Sequence, residues 1–167
     1  MTAVPALSDG DDAAIRARLD AYAAAWSVMT AEALKPHWDV TAEPLYIAEE
    51  IDEPMQSWPA VRAYWTHNEG VHDRVSLSFS DIRTHPLTDE LAQAALHMAW
   101  DIAFRSGASR AIGGSNRVVA TLRKRDGDWR LTGWVEAPLA PILYMRRLYE
   151  AAVTPGFTDG LNLQGAQ

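Results

Sequence analysis

A change of hydrophobic period near His72 constrains the fold more than any other feature of this sequence. Before it, Ile15, Leu19, Tyr22 and Trp26 follow one another at offsets of four, three and four residues. That spacing lays them along one stripe of a helix, with Arg16, Arg18 and Asp20 pointing elsewhere. After it the period is two: Val75, Leu77 and Phe79 alternate with Ser76, Ser78 and Ser80, the pattern of a half-buried antiparallel strand. A longer strand is predicted from Leu91 to about Arg105. Its even positions Leu96, Met98, Trp100, Ile102 and Phe104 are bulky, and its odd positions Gln93, Ala95, His97, Ala99, Asp101 and Ala103 are small or polar. Helices followed by a run of antiparallel strands predict an α+β domain, its helices packed on one face of a curved sheet.

The signals at element ends fill in the order. Ser8, Asp9, Asp11 and Asp12 supply cap oxygens and negative charge at the start of the first helix. Thr30 caps a short second helix through Leu34, which Pro36 ends. Leu45 to Ala48 reads as a strand, Asp52 to Pro54 as a turn, and Met55-Gln56 as a brief extended piece. Ser57 caps a third helix, with Pro59 in its first turn and Val61, Tyr64, Trp65 and Asn68 on one face. In the second half, turns are predicted at His85 to Asp89 and at Ser106 to Ser109. A strand follows from Asn116 to Arg125, then a two-residue hairpin turn at Asp126-Gly127 and a last strand from Trp129 to Ala137. Pro141 suits the first turn of a final helix carrying Ile142, Met145, Leu148 or Tyr149, and Ala152. The expected division is an N-terminal tail over 1–10, one domain over 11–138, a C-terminal helix over 139–153, and a tail over 154–167 that is mobile or orders on a partner.

Composition narrows the classes of function. The chain has 167 residues, enough for one domain to bury a core without disulfides or structural metal. It contains no cysteine, which excludes disulfides, thiolate metal sites and cysteine nucleophiles. A formal charge of −7 disfavours a nucleic-acid partner, because neutralising phosphates takes a basic surface. Met1 to Ser8 lacks the basic and apolar regions of a signal peptide, and no apolar run approaches the ~20 residues that span a bilayer. The expectation is a cytoplasmic protein with no membrane partner. Seven tryptophans are present. Their size and their N–H donors suit cores, interfaces and ligand pockets alike.

The order of helix, short helix, hairpin, helix and long antiparallel strands, with the helix AIRARLDAYAAAW and the hairpin VVATLRKRDGDWRL, resembles the nuclear transport factor 2-like (NTF2-like) superfamily. The SnoaL-like branch, named for polyketide cyclases, is the nearest in pattern, over about Asp11 to Pro138. The resemblance implies a cystatin-like α+β cone in which helices and a concave sheet enclose a pocket, and a homodimer formed through the convex sheet face. The superfamily includes steroid isomerases, dehydratases, cyclases, binding proteins and noncatalytic subunits of aromatic-ring dioxygenases, so it does not name a function. Its dehydratases use a histidine just before the first long strand and an aspartate near the end of the first helix. His72 stands at a position like that of the histidine. The helix end Ala24-Ala25-Trp26-Ser27-Val28 departs from the pattern, having no carboxylate.

Asp101 and His97, four residues apart on one strand, share a face with small neighbours. If that face is concave, a buried Asp101 is the expected acid or base, with His97 or His72 as a second proton carrier. The opposite assignment makes the bulky even face the core and leaves Asp101 and His97 on the dimer face. Room beside a ligand favours the first, which assigns Trp100 and Trp134 to the dimer contact. Tyr22, Trp26, Trp38, Tyr46 and Trp65 are expected to supply pocket walls, and Arg117 to hold a ligand carboxylate. His67 and His72 are spaced badly for one metal ion, and the acidic turn Glu49 to Glu53 reads as solvated, so neither a metal nor a cofactor is expected. Gly113-Gly114 reads as a bulge or a flexible strand entry. The function expected is cofactor-independent proton transfer of isomerase, cyclase or dehydratase type on a bulky apolar or aromatic ligand. The alternative is a noncatalytic ligand-binding or subunit-association module.

Overall fold

The computed structural model describes residues 6–106 and 111–138, together with Val153 and Pro155. Apart from those last two positions, the expected C-terminal helix and tail lie outside the described residues. The chain runs through α1 (Asp9–Ala25), α2 (Ala31–Leu34) with a 3-10 turn at Lys35–His37, β1 (Leu45–Ile47) and α3 (Trp58–Val71). It then forms β2 (His72–Thr88), β3 (Leu91–Phe104), β4 (Ala111–Arg125) and β5 (Asp128–Pro138). The result is an α+β fold. Its five strands lie in the order β1-β5-β4-β3-β2, with β1 parallel to β5 and the remaining pairs antiparallel. Among the described residues no helix is long and apolar enough to cross a membrane.

Side-chain caps set the helix starts. The hydroxyls of Ser8, Thr30 and Ser57 accept from the backbone N–H groups of Asp11, Ala33 and Ala60 at 3.1, 3.2 and 3.4 Å. The Asp126-Gly127 turn has φ values of 52° and 80°, the left-handed pair that a tight hairpin needs. Two strands are longer than their sequence signals. β2 continues through Pro86 to Thr88, so the turn tightens to Asp89-Glu90. Proline is tolerated there because β2 is an edge strand, and its missing N–H need cost no ladder bond. β4 starts at Ala111, with Gly113 and Gly114 in regular register opposite Asp101 and Trp100, where a bulge or loose entry was expected.

The stripe on α1 is buried as its spacing predicts, with Ile15, Leu19 and Tyr22 fully enclosed. It packs on the sheet face that carries Leu96, Met98, Val118, Ala120, Leu122 and Leu131. The helices therefore cover the even-numbered, bulky face of β3. Polar anchors pin the same helix to the β4–β5 hairpin. Arg18 donates through Nε to the Trp129 carbonyl at 2.8 Å and through Nη2 to Asp128 at 2.6 Å. Asp11 accepts from Lys124 Nζ at 2.6 Å and from Trp129 Nε1 at 2.9 Å. Those bonds, led by the one from Lys124, lower its carboxyl to about 2. The two bonds of Arg18 are partly screened by solvent, so each contributes about 1 kcal/mol. Arg18→Ala is accordingly expected to lower unfolding stability by about 2 kcal/mol in urea titration with an unchanged slope. A loss within experimental error would show that the hairpin docks without it.

Candidate functional site

Beyond the packed end, where α1 leaves the sheet, a cavity of about 250 Å³ opens on the same concave face. Its walls are apolar. Val75 and Leu77 come from β2, Met98, Trp100, Ile102 and Phe104 from β3, and Trp134 from β5, while Trp26 at the end of α1 and Tyr46 on β1 add two further rings. Polar groups are few: Glu49 and Glu50 after β1, Tyr64 and Asn68 on α3, His72 at the start of β2, Asn116 on β4 and Glu136 on β5. An apolar enclosure with a small set of convergent polar groups is the usual make-up of a small-molecule site.

Glu136 is the most organised of these. Its Oε1 accepts from Trp134 Nε1 at 2.8 Å and its Oε2 from Asn116 Nδ2 at 2.8 Å, while the Asn116 carbonyl accepts from Trp100 Nε1 at 3.4 Å. One carboxylate is thus fixed on both oxygens by a relay across three strands. Burial is the largest influence on it and raises its pKa to about 7, with the charges of Glu50 and Glu49 adding to the rise and the Trp134 and Asn116 bonds opposing it. A bulge delivers it to the cavity. β4 pairs Thr121 with Gly133 but Leu122 with Leu131, so Thr132 is unpaired and the parity of β5 flips. Trp129 and Leu131 face the core on one side of the bulge, and Trp134 and Glu136 face the cavity on the other.

The surrounding groups have distinct states. The Tyr64 hydroxyl donates to Glu50 Oε1. Burial foremost, and then that bond and charge, raise Tyr64 well above the ordinary phenol range. Burial likewise raises Tyr46, so it stays a neutral donor. His72 is half-buried with its ring edge-on to Phe104 at 5.5 Å, and burial lowers its pKa, favouring neutral imidazole. Tyr22, Trp38 and Trp65 lie deeper, each with a buried hydroxyl or indole N–H lacking a hydrogen-bond partner.

The placement of the expected site residues follows from strand parity. His72, Trp26 and Tyr46 line the cavity, whereas Tyr22, Trp38 and Trp65 form the core layer against it. Asp101 and His97 do not enter it. Both are exposed on the opposite face of the sheet, where His97 pairs with Asp81 at 3.3 Å and lies beside Arg117 on β4. Arg117 is exposed there too and does not line the cavity. Trp100 and Trp134, expected at a convex contact, are on the concave side, and Trp134 is only 1% exposed. The physical reason is volume. A layer of helices needs large side chains opposite it, and the alanines of the odd face cannot fill that space. Gly114 of β4 serves this arrangement: a Cβ there would lie 2.6 Å from Trp100 Cζ2, so glycine lets the indole lie against the strand. Glu69 is also occupied, accepting from the Ala31 N–H at 2.6 Å. Among the described residues no three His, Asp or Glu side chains converge to hold a metal ion.

Glu136, Asn116 and Glu50 are the site groups that sequence periodicity does not single out, while Tyr64 is placed by it on the inner face of α3 without a role. Glu136 carries one signal, its two-residue offset from Trp134, but reading it requires knowing that Thr132 is a bulge.

No family model and no curated protein matches the sequence. Solved structures do match in shape. A provisionally assigned aromatic ring hydroxylase from Novosphingobium aromaticivorans superposes with a TM-score of 0.72 at 16% identity, covering 81% of this chain and 94% of that one. A provisionally assigned scytalone dehydratase from the same organism gives 0.71 at 11% identity over 78% and 85%. An NTF2-like superfamily protein from Salmonella enterica gives 0.67 at 14% identity over 76% and 89%. The chain has the NTF2-like fold. At these identities the likeness extends to the fold alone.

Glu136 makes a pH-dependent prediction. A carboxyl raised from 4.5 to about 7 on folding contributes stability that is full below pH 4.5 and lost as pH rises through 7. Glu136→Gln removes that dependence, so its stability relative to the parent is expected to improve by up to ~3 kcal/mol between pH 4.5 and pH 8. Chemical denaturation at the two pH values measures the difference, and parallel curves for the two proteins would count against the raised pKa.

Proposed function

We propose that this NTF2-like cavity performs cofactor-independent proton transfer on a small, mainly apolar ring compound, with Glu136 as the acid–base group. The observation that carries the reading is one carboxylate held on both oxygens by N–H donors inside an apolar cavity and poised near neutrality. A base whose pKa lies near the working pH combines a useful ionised fraction with enough driving force to take a proton. Ionised Glu136 would remove a proton from carbon next to a carbonyl. The bonding pair then moves toward the carbonyl oxygen, where the neutral Tyr46 hydroxyl is a suitable donor for the developing negative charge. The proton now on Glu136 returns at another atom of the ligand, relayed by His72, whose neutral ring takes it up at one nitrogen and releases the proton on the other, or it passes to a β-leaving group that departs as the carbonyl re-forms. The first outcome is isomerisation and the second elimination, and the dehydratase assignment of one neighbour favours the elimination branch by analogy.

The test is hydrogen–deuterium exchange at C1 of 2-tetralone, a two-ring ketone of suitable size, followed by proton NMR in D2O. The protein is expected to accelerate exchange, with a rate that rises through about pH 7 as Glu136 ionises. Glu136→Gln should lower it by about 10²-fold or more, and Asp101→Asn on the outer face should leave it unchanged. Full exchange activity in Glu136→Gln would reject the assignment.

A homodimer through the outer sheet face belongs to the same proposal. Ser76, Ser78, Ala95, Ala99 and Ser115 offer a flat field of small side chains, fringed by Asp81, His97 and Arg117 of both signs. Ala99→Arg is expected to yield monomers in light scattering, and a monomeric parent protein at high concentration would exclude this contact.

A further inference from the structure

The electrostatics of the cavity bear on what it accepts. Three carboxylates line it: Glu136 inside, and Glu49 and Glu50 at its exposed mouth. Among the described residues no lysine or arginine does so. The one basic group among the described lining residues, His72, is pushed toward the neutral form by burial. Several of the other basic side chains are engaged at the other end of the sheet or lie on its outer face. Arg18 is paired with Asp128, Lys124 with Asp11, and Arg123 and Arg125 with the buried Asp39. Arg83 and Arg117 lie in the outer groove. Among the described residues the carboxylates of the cavity therefore share it with no lysine or arginine, and the charges of Glu49 and Glu50 both disfavour ionisation of Glu136.

The walls point the same way. Trp26, Tyr46, Tyr64, Trp100, Phe104 and Trp134 present rings to one small space. An aromatic face carries negative charge density and attracts cations, most strongly where water is excluded. Leu77, Met98 and Ile102 complete the enclosure with surface that only an apolar body can match. A bare metal ion is a poor fit to such walls, since no three acidic or imidazole groups converge on one point among the described residues.

We infer that the cavity selects ligands that carry a positive charge on an apolar ring body, a protonated or quaternary organic amine, over neutral and anionic molecules of the same shape. The inference rests on the reading of this cavity as a ligand site, and adds the charge class of the ligand. The mouth carboxylates raise the local concentration of cations, the rings surround the ammonium, and Glu136 supplies the countercharge.

Three probes of nearly equal size separate the classes: phenyltrimethylammonium, its neutral isostere tert-butylbenzene, and benzoate. Binding to the full-length protein at pH 8 is followed by tryptophan fluorescence, since Trp26, Trp100 and Trp134 line the cavity, and by calorimetry. The cation is expected to bind at least about tenfold tighter than the neutral isostere, with no measurable binding of benzoate. In Glu50→Gln the cation-to-neutral ratio should fall at least about threefold, an internal ratio that a general loss of folding would not produce. Equal or tighter binding of the neutral isostere overturns the charge preference and leaves the cavity reading standing. Binding of none of the probes, with fluorescence responses no different from those of a cavity-filling Leu77→Trp variant, overturns both.

Discussion

One unpaired residue, Thr132, decides what the concave face of this sheet can do. Regular alternation along β5 from Trp129 and Leu131 would turn Gly133 and Val135 inward and send Trp134 and Glu136 to the outer surface. The bulge opposite Thr121 and Leu122 reverses the parity, so the face that packs α1 at one end presents an indole and a carboxylate to the cavity at the other. The change of parity also aims the Trp134 N–H and the Asn116 amide at the same carboxyl group. Without it, Asn116 on β4 would be a buried amide whose N–H donors have no such acceptor, which is a costly state at 1% exposure.

The chain keeps two electrostatic regimes apart. At the α1 end, acids are stabilised by partners: Asp11 by Lys124 and Trp129, Asp128 by Arg18. Asp39 is opposed first by its own burial, yet it is held low by Thr41, the Ala42 N–H and Arg125. At the cavity end, the donors to Glu136 among the described residues are the neutral Trp134 and Asn116, and burial outweighs them. Ionising a carboxylate without a cation in a low-dielectric enclosure is unfavourable, which is why the carboxyl groups at the two ends are shifted in opposite directions. That difference supports the proposed role of Glu136 more strongly than the presence of an acid does, because a purely structural carboxylate gains most by being paired.

Much of the fold is legible in the residues. The stripe Ile15-Leu19-Tyr22, the caps Ser8, Thr30 and Ser57, and the Asp126-Gly127 turn act locally, so their sequence signals survive folding unchanged. The facing of β3 is harder to read. A strand with a bulky side and a small side is self-consistent either way up, and only the volume demanded by the helices turns Leu96, Met98 and Trp100 inward and sends His97 and Asp101 out. The site is less legible still. Glu136 depends on a bulge that no local residue preference announces, and Glu50 in a charged turn resembles any solvated acid until Tyr64 is seen to reach it. Gly114 reads as looseness in the sequence but in the fold makes room for the Trp100 ring.

The aromatic layer beneath the cavity explains how so small a site can be held in shape. Tyr22 packs edge-on against Trp134 at 5.2 Å and against Trp26 at 6.2 Å, and Trp65 packs edge-on against Trp26 at 6.2 Å and Trp38 at 5.7 Å. Edge-to-face contacts fix the relative angle of two rings as well as their distance. Rings have few rotamers, so a network of them loses little further freedom when a ligand arrives. Trp134 belongs to this network through its ring and to the Glu136 carboxylate through its N–H. The orientation of the proposed base is thereby referred, through one indole, to the fully buried Tyr22 on α1. The tryptophans that line and underlie the cavity thus act as its frame, and the charge at its centre is set by a rigid apolar surround that cannot relax to solvate it.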